Sequence, residues 1–301
     1  MNRQILITGP GGYLGRNLAA CFRKAGWRVC GAGRKRSDAL DWFEPLDLRS
    51  TSIPSWPQAD LFIHCAYDFA ASTPAEVKNH NVEASIRILA SARQSGARVI
   101  FISSMAAHAE AQSLYGKGKF KVEEFCRAHG IAVIRPGLLY GNPQGGLAGS
   151  LEKAVKRLPV LPYPHYSGAI LSTCHVADAC LACLALADLP AEADVGQPII
   201  AAADRSWKFQ DLLRVMAEAH GRSPLLIPVP WRMPWCALRA AELVGLRPSF
   251  RSDSLVSLAA PSPTRPTACA WASFRKLSAQ TFGEPSPVRE DWQPIEHQNP
   301  R

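Results

Sequence analysis

Residues Ile5-Leu6-Ile7-Thr8-Gly9-Pro10-Gly11-Gly12-Tyr13-Leu14-Gly15 carry a short apolar run straight into a glycine-rich loop, and Arg16 to Lys24 then read as a helix. Leu14, Leu18, Cys21 and Phe22 recur three or four residues apart, so one face of that helix can pack on a sheet. Gly9 is free to take φ values that a side chain forbids, and Gly12 lets backbone approach a phosphate. Gly15 allows the helix to sit tightly against the strand. The helix N-terminus offers N–H groups and a partial positive charge to a pyrophosphate. The spacing is G-x-x-G-x-x-G, not the commoner G-x-G-x-x-G dinucleotide fingerprint. Strand, loop and helix in this order predict a dinucleotide site; a glycine-rich turn with no ligand is the alternative.

Further along, strands and helices alternate. Trp27 to Ala32 reads as a second strand after Gly26, Asp60 to Ala66 as a buried strand, and Asn79 to Ser95 as a helix capped by Gly96. Val99 to Ile102 is another strand, followed by a helix from Tyr115 to Ala128 and a strand Ile131 to Ile134. This alternation predicts an α/β fold, a parallel sheet with helices on both faces. From about Leu138 the texture changes to glycine- and proline-rich pieces, suited to a smaller lobe over the strand ends. Val176 to Leu189 and Pro198 to Ala202 read as a helix and strand returning to the main sheet, and Ser206 as an N-cap for a helix Phe209 to His220. Pro224 to Pro234 reads as irregular, Ala260 to Thr267 as a break, and the last fifteen residues as frayed.

The end of the second strand is where a dinucleotide's adenosine ribose is met. An acidic residue there favours NAD, but this chain has Gly33-Arg34-Lys35-Arg36. Guanidinium groups bind a 2′-phosphate through charge-assisted forks, so Arg34 and Arg36 point to NADP, with NAD the alternative. Asp47-Leu48 can place a carboxylate near the adenine, and His64 reads as structural.

Tyr115 and Lys119 are four residues apart at a helix start and share a face. A free phenol, with a pKa near 10, sits roughly three units too high for a neutral-pH proton shuttle. A nearby ammonium is expected to lower it. Tyr115 then exchanges a proton with a carbonyl or alcohol oxygen that Ser104, at a strand end, also holds.

Composition narrows the classes. The chain is 47% hydrophobic and 20% charged, without a run of about eighteen apolar residues, so no membrane span is expected. Its first apolar run is too short for a signal peptide. Nine scattered cysteines suit reduced thiols and a cytoplasmic location, and Cys180 and Cys183 fall in an apolar helix as core residues; no metal site is expected. The net charge of +9 is dispersed and lacks a DNA-reading helix or RNA-stacking motif, so an anionic small ligand, not nucleic acid, is the expected partner.

The ordered set Thr8-Gly9-x-x-Gly12-x-x-Gly15, Asp47-Leu48, His64-Cys65-Ala66, Asn81, Ser103-Ser104, Tyr115-Gly-x-x-Lys119, Arg135-Pro136-Gly137 and His175-Val176-x-Asp178 resembles the extended short-chain dehydrogenase/reductase family, in its NAD-dependent epimerase/dehydratase group. The resemblance is strong from Ile5 to about Leu186. It implies a Rossmann-type doubly wound sheet (1–140 plus about 170–203) with a smaller C-terminal substrate-binding lobe (about 141–169 and 204–301). It implies a catalytic set of Ser104, Tyr115 and Lys119, with Lys119 also bonding the nicotinamide ribose. The cofactor positions it suggests are Thr8, Gly9, Gly12, Tyr13, Leu14, Gly15, Arg34, Arg36, Asp47, Leu48, Cys65, Ala66, Asn81, Tyr115, Lys119 and Pro136. Three departures stand out: Leu138 replaces a substrate-contacting asparagine, His108 a tyrosine, and Met105-Ala106 the acidic pair of dehydratases. Dehydration is thereby disfavoured.

The expectation is a cytoplasmic NADP-dependent oxidoreductase that reduces a ketone on a phosphorylated or nucleotide-linked small molecule, such as a 4-keto sugar nucleotide. A sugar-nucleotide epimerase and a catalytically silent dinucleotide-binding protein are the alternatives. The resemblance makes a homodimer reasonable and leaves the oligomeric state open. Arg232, Arg247 and Arg251 are candidates for a diphosphate, although each also reads as an ordinary surface arginine.

Overall fold

The computed structural model describes residues 3–36, 40–141, 146–165, 170–189, 197–203, 206–246, 250–259 and 274–282. The chain opens with β1 (Gln4–Thr8), α1 (Tyr13–Lys24), β2 (Arg28–Gly33), β3 (Trp42–Pro45) and β4 (Leu61–His64). A long helix α2 spans 74–94, then come β5 (Arg98–Ile102), α3 (Leu114–Ala128), β6 (Ala132–Pro136) and β7 (Leu138–Tyr140). Next are α4 (Gly146–Arg157), β8 (Val160–His165), β9 (Ile170–His175), α5 (Val176–Asp188) and β10 (Ile199–Ala201). The remainder is β11 (Ser206–Lys208), α6 (Phe209–Glu218), β12 (Leu225–Pro230), α7 (Arg232–Leu243), α8 (Ser252–Ala259) and α9 (Ala279–Phe282).

Seven strands form one parallel sheet in the order β10-β6-β5-β4-β1-β2-β3. The chain runs outward from β1 to β3, returns to β4 on the other side of β1, and continues outward to β10. The reversal therefore lies between β1 and β4, where Thr8 pairs with His64. In an open α/β sheet that is where a ligand crevice forms, beyond the carboxyl ends of the strands.

Strand alternation divides the core into two layers. Ile5, Ile7, Leu61 and Ile63 point to the face covered by α1 and α5, among Leu18, Phe22, Cys180 and Leu186. Leu6 and Phe62 point to the opposite face, under Ile88 and Leu89 of α2 and Val122 of α3. Each such fully buried Leu, Ile or Phe contributes roughly 1.5–3 kcal/mol, so both faces commit the sheet to its register. Cys180 and Cys183 are buried in the first layer, and burial drives both thiols well above their usual values.

Helix α2 starts with a capping box, Thr73 with Glu76, and passes through a π-helical stretch Val77–Glu83 before Ala84–Gln94. Gly96, at φ +80°, ends it.

A third core gathers the C-terminal elements, with Tyr140, Val155, Trp207, Leu212, Leu213, Met216 and Phe282 at its centre. It joins a three-stranded sheet (β11-β9-β7) and a parallel pair (β12-β8) to their helices. Two sequence expectations fail here. Ser206 is not a helix cap: it pairs with Ser172 as part of β11, and α6 starts after Lys208 with no side-chain cap. The stretch from Pro224 to Pro234 is not irregular, because Leu225–Pro230 pairs in parallel with Val160–His165. Prolines 162, 164, 228 and 230 fit this ribbon because an edge strand uses only half of its N–H groups for pairing. Arg247, Ala260 to Thr267 and the last fifteen residues lie outside the described residues.

Candidate active site

The glycine loop closes the crevice on one side. Gly9, at φ +72°, donates its N–H to Ala32 O at 2.8 Å, and a Cβ there would stand 2.9 Å from Ala66 Cα. Gly12 is the N-cap of α1, with no side-chain cap and no acidic residue in the first turn. The opening N–H groups of α1 thus have no anionic partner from its own start, which fits a pyrophosphate. A Cβ on Gly15 would meet the Gly9 carbonyl oxygen at 2.1 Å, so only glycine lets helix and loop close up. Tyr13 donates its hydroxyl to Gly141 O, and Leu14 packs against the core.

The other side of the crevice is tied to Thr8. Cys65 Sγ donates to Thr8 O at 2.8 Å, and Ala66 N–H donates to Thr8 Oγ1 at 3.3 Å. The same Thr8 hydroxyl bonds His64 Nδ1 at 2.7 Å, and His64 Nε2 bonds Ser85 Oγ at 2.9 Å. Burial, helped by the Lys119 charge, pushes His64 down to about 3. His64 is a neutral strut joining β1, β4 and α2.

Arg34 and Arg36 are exposed just past β2, in a turn whose Lys35 carbonyl faces Gly11 of the glycine loop. Asp47 is lowered to about 2, first by its hydrogen bonds from Arg49, against a smaller opposing effect of burial; Arg34 adds to the lowering. Arg49 therefore already occupies much of the carboxylate expected near an adenine. Leu48 is buried in the core beside it. Asn81 is likewise committed: its Oδ1 accepts from Asp68 N at 2.7 Å and its Nδ2 donates to Asp68 O at 3.1 Å. The π-helical stretch thus clamps the loop after β4.

Tyr115, Lys119 and Ser104 meet at the carboxyl edge of the sheet. Ser104 follows β5, where Met105 N–H bonds Pro136 O at 3.2 Å; its hydroxyl accepts from Ala106 N–H at 3.2 Å and lies near enough to the Tyr115 phenol to act on it. Lys119 is buried and donates to Ile102 O at 2.7 Å, with its ammonium 4.6 Å from the Phe101 ring and 5.3 Å from the Tyr67 ring. Burial pushes Lys119 down to about 8. The expected lowering of Tyr115 by Lys119 is not what the structure gives. Burial holds the phenol above its usual value, only Ser104 works against that, and the lysine charge is directed at a carbonyl and two π faces.

The sequence reading missed the ring wall around the phenol. Tyr67 lies edge-on to Tyr115 at 5.0 Å between centroids, and Phe69, 68% exposed, stacks on it at 6.2 Å and 21°. Their spacing after His64-Cys65-Ala66 was a visible signal. Asp253 carried none. Arg251 is not free for a diphosphate: it pairs with Glu242 at 2.9 Å and donates to Phe69 O at 3.3 Å. Arg232 lies 5.9 Å over the Trp231 ring. Among the described residues no helix is long and apolar enough to cross a membrane.

The model of the NAD dependent epimerase/dehydratase family matches residues 5–202, well over half of the chain. The chain belongs to that family. It is an NAD(P)-dependent enzyme of the extended short-chain dehydrogenase/reductase type, built to bind a nicotinamide dinucleotide. It is similar to ceramide reductase of Caulobacter vibrioides (strain NA1000 / CB15N), 28% identical over 237 residues, 75% of this chain and 73% of that one. It is also similar to methionine adenosyltransferase 2 subunit beta of Bos taurus, 32% identical over 166 residues, 47% of this chain and 48% of the relative. Among solved structures, a UDP-galactose 4-epimerase is 22% identical with a TM-score of 0.62, covering 85% of this chain and 97% of its own. MoeE5 in complex with UDP-glucuronic acid and NAD is 20% identical with a TM-score of 0.60, covering 75% and 85%. At these identities the two structures speak to the fold.

Proposed function

We propose that the protein is an NADPH-dependent ketone reductase, with residues 1–140 and about 170–203 holding the dinucleotide and the C-terminal elements forming a substrate lobe. The observation that carries this reading is the meeting of Tyr115, Ser104 and Lys119 beside the β1/β4 crevice. When bound, the dinucleotide supplies the hydride for the carbonyl carbon. Tyr115 gives its phenolic proton to the carbonyl oxygen, and Ser104 hydrogen-bonds the same oxygen. Lys119 is the ammonium that would hold the nicotinamide ribose, one helical turn from the phenol. Thr8, Gly9, Gly12, Tyr13, Leu14 and Gly15 would cradle the pyrophosphate, Cys65, Ala66 and Pro136 would line the nicotinamide side, and the Asp47-Leu48 turn would lie on the adenine side. Arg34 and Arg36 would take the 2′-phosphate.

The substrate meets the Tyr67 and Phe69 rings before it meets Tyr115. Such a wall favours a ketone with an apolar flank, in keeping with the ceramide reductase similarity, over the nucleotide sugar that the sequence alone suggests. The keto analogue of a ceramide and a 4-keto nucleotide sugar are the two probes. NADPH consumption with either, lost in Tyr115→Phe while NADPH still binds, supports the reductase. Conversion of a UDP-sugar without net NADPH loss moves the protein to an epimerase. Near wild-type turnover in Tyr115→Phe ends the assigned mechanism. NADPH binding without turnover of any probe returns the silent dinucleotide-binding reading.

A further inference from the structure

Helix α3 begins with three backbone N–H groups that need partners, those of Leu114, Tyr115 and Gly116. Ser113 Oγ accepts from Gly116 at 3.0 Å. The other two go to one carboxylate far along the chain: Asp253 Oδ1 accepts from Leu114 at 2.8 Å and Oδ2 from Tyr115 at 3.0 Å. A carboxylate at a helix N-terminus is favoured both as a hydrogen-bond acceptor and by the helix dipole.

Asp253 is itself held in place. It lies in the first turn of α8, and Glu242 of α7 secures that turn by accepting from Ser252 N at 2.9 Å, Ser252 Oγ at 2.7 Å and Arg251 Nε at 2.9 Å. Arg251 also reaches the carbonyl of Phe69, whose ring stacks on Tyr115. The segment Arg251-Ser252-Asp253 therefore grips the backbone under Tyr115 and the loop that carries the ring across from it.

We propose that Asp253 is a positioning residue for Tyr115, a carboxylate through which the C-terminal elements set the place of the phenol at the sheet edge. This rests on the reading of Tyr115 as the proton donor. Asp253 touches neither ketone nor dinucleotide; it acts through the main chain of the first turn. A shift of α8 against the sheet carries Leu114 and Tyr115 with it, so a substrate held by the C-terminal elements aligns its own proton donor.

The test needs no substrate. Amide exchange at Leu114 and Tyr115, and the 13Cζ resonance of Tyr115 among the six tyrosines, are followed in full-length protein with NADPH. In Asp253→Asn these amides are expected to exchange roughly tenfold faster, the scale of a lost helix cap. The Tyr115 resonance is expected to move while those of Tyr13, Tyr140 and Tyr163 stay. Asp253→Glu, which keeps the carboxylate, is expected to return both towards wild type. Folded Asp253→Asn with unchanged amides and an unmoved Tyr115 resonance overturns the proposal. Should Asp253→Asn not fold, Glu242→Gln loosens the same turn indirectly, and an unmoved Tyr115 resonance there overturns it equally. Tyr115→Phe assigns the resonance, and its turnover separately tests the proton-donor reading.

Discussion

Gly15 and Gly9 approach so closely that a Cβ on Gly15 would stand 2.1 Å from the Gly9 carbonyl oxygen, whereas a Cβ on Gly12 would stand 3.3 Å from the same atom. The contact at Gly15 is with backbone, which cannot swing aside. Gly15→Ala is expected to cost about 1–3 kcal/mol or more of stability, as overpacking does, and to lose dinucleotide binding with it. Gly12→Ala, whose Cβ would be tight against that oxygen without overlapping it, is expected to lose less stability than Gly15→Ala and to lose NADPH affinity as well. Urea unfolding and NADPH fluorescence titration separate the two. Equal stability losses in both variants would show that the helix does not need this close approach.

The basic turn after β2 makes a charge argument that can be tested without a substrate. Arg34 and Arg36 are exposed, and Arg34 is close enough to Asp47 to act on its charge. Hydrogen bonds to a charged group contribute roughly 1.5–3 kcal/mol. Arg34→Ala/Arg36→Ala is therefore expected to weaken NADPH binding about tenfold to a hundredfold and leave NADH binding unchanged. Wild-type protein that binds NADH more tightly than NADPH would overturn the arginine assignment and favour the epimerase.

The sequence showed what its neighbours in the chain determine. The run from Ile5 into Gly15 and the four-residue step from Tyr115 to Lys119 are local patterns, and the structure folds the first as strand, loop and helix and sets the second in one helix. Ser206 misled for the same reason: it is a good cap residue, but pairing with Ser172 on β9 outweighs a local preference. Asp253 under Tyr115 and Arg275 against Asp178 had no local signal, because their partners lie 138 and 97 residues away. Lys119 was recognised by spacing, but its direction was not, since that depends on the Ile102 carbonyl and the rings of Phe101 and Tyr67.

Asp178 shows the consequence for stability. It accepts from Arg275 Nε at 2.8 Å and from Arg275 N–H at 2.6 Å, and both side chains are nearly buried. Removing one partner of a buried pair strips the other charge of its ion pair, at up to about 3–5 kcal/mol. Asp178→Ala is expected to lose that much, and Asp178→Ala/Arg275→Met to recover a good part of it. A double variant no more stable than the single one in urea unfolding would show that the pair is not what fastens 274–282 to α5.

Lys119 sets activity against stability, and the sign can be worked out. Its value in the folded protein is about 8, against 10.5 for an ordinary lysine, and burial is the first cause. Below about pH 8 both folded and unfolded chains carry the proton, and the folded state bears the full cost of a desolvated ammonium. Between about 8 and 10.5 this lysine binds more proton in the unfolded chain, so its own contribution to stability rises with pH, and above that it is constant. His64, at about 3, stays neutral through this window, whereas the buried Cys65 thiol, pushed up to about 12 from an ordinary 9.0, keeps in the folded protein a proton that the unfolded chain loses; that opposite effect is common to wild type and a Lys119 variant and cancels in the difference between them. Lys119→Met is therefore expected to be inactive yet more stable at neutral pH, by up to about 3 kcal/mol. The gain should shrink as pH climbs towards 10.5. Urea unfolding of both proteins across that range is the measurement. A variant less stable than wild type at neutral pH would mean that the bond to Ile102 O outweighs the desolvation, and that the lysine is a structural anchor first.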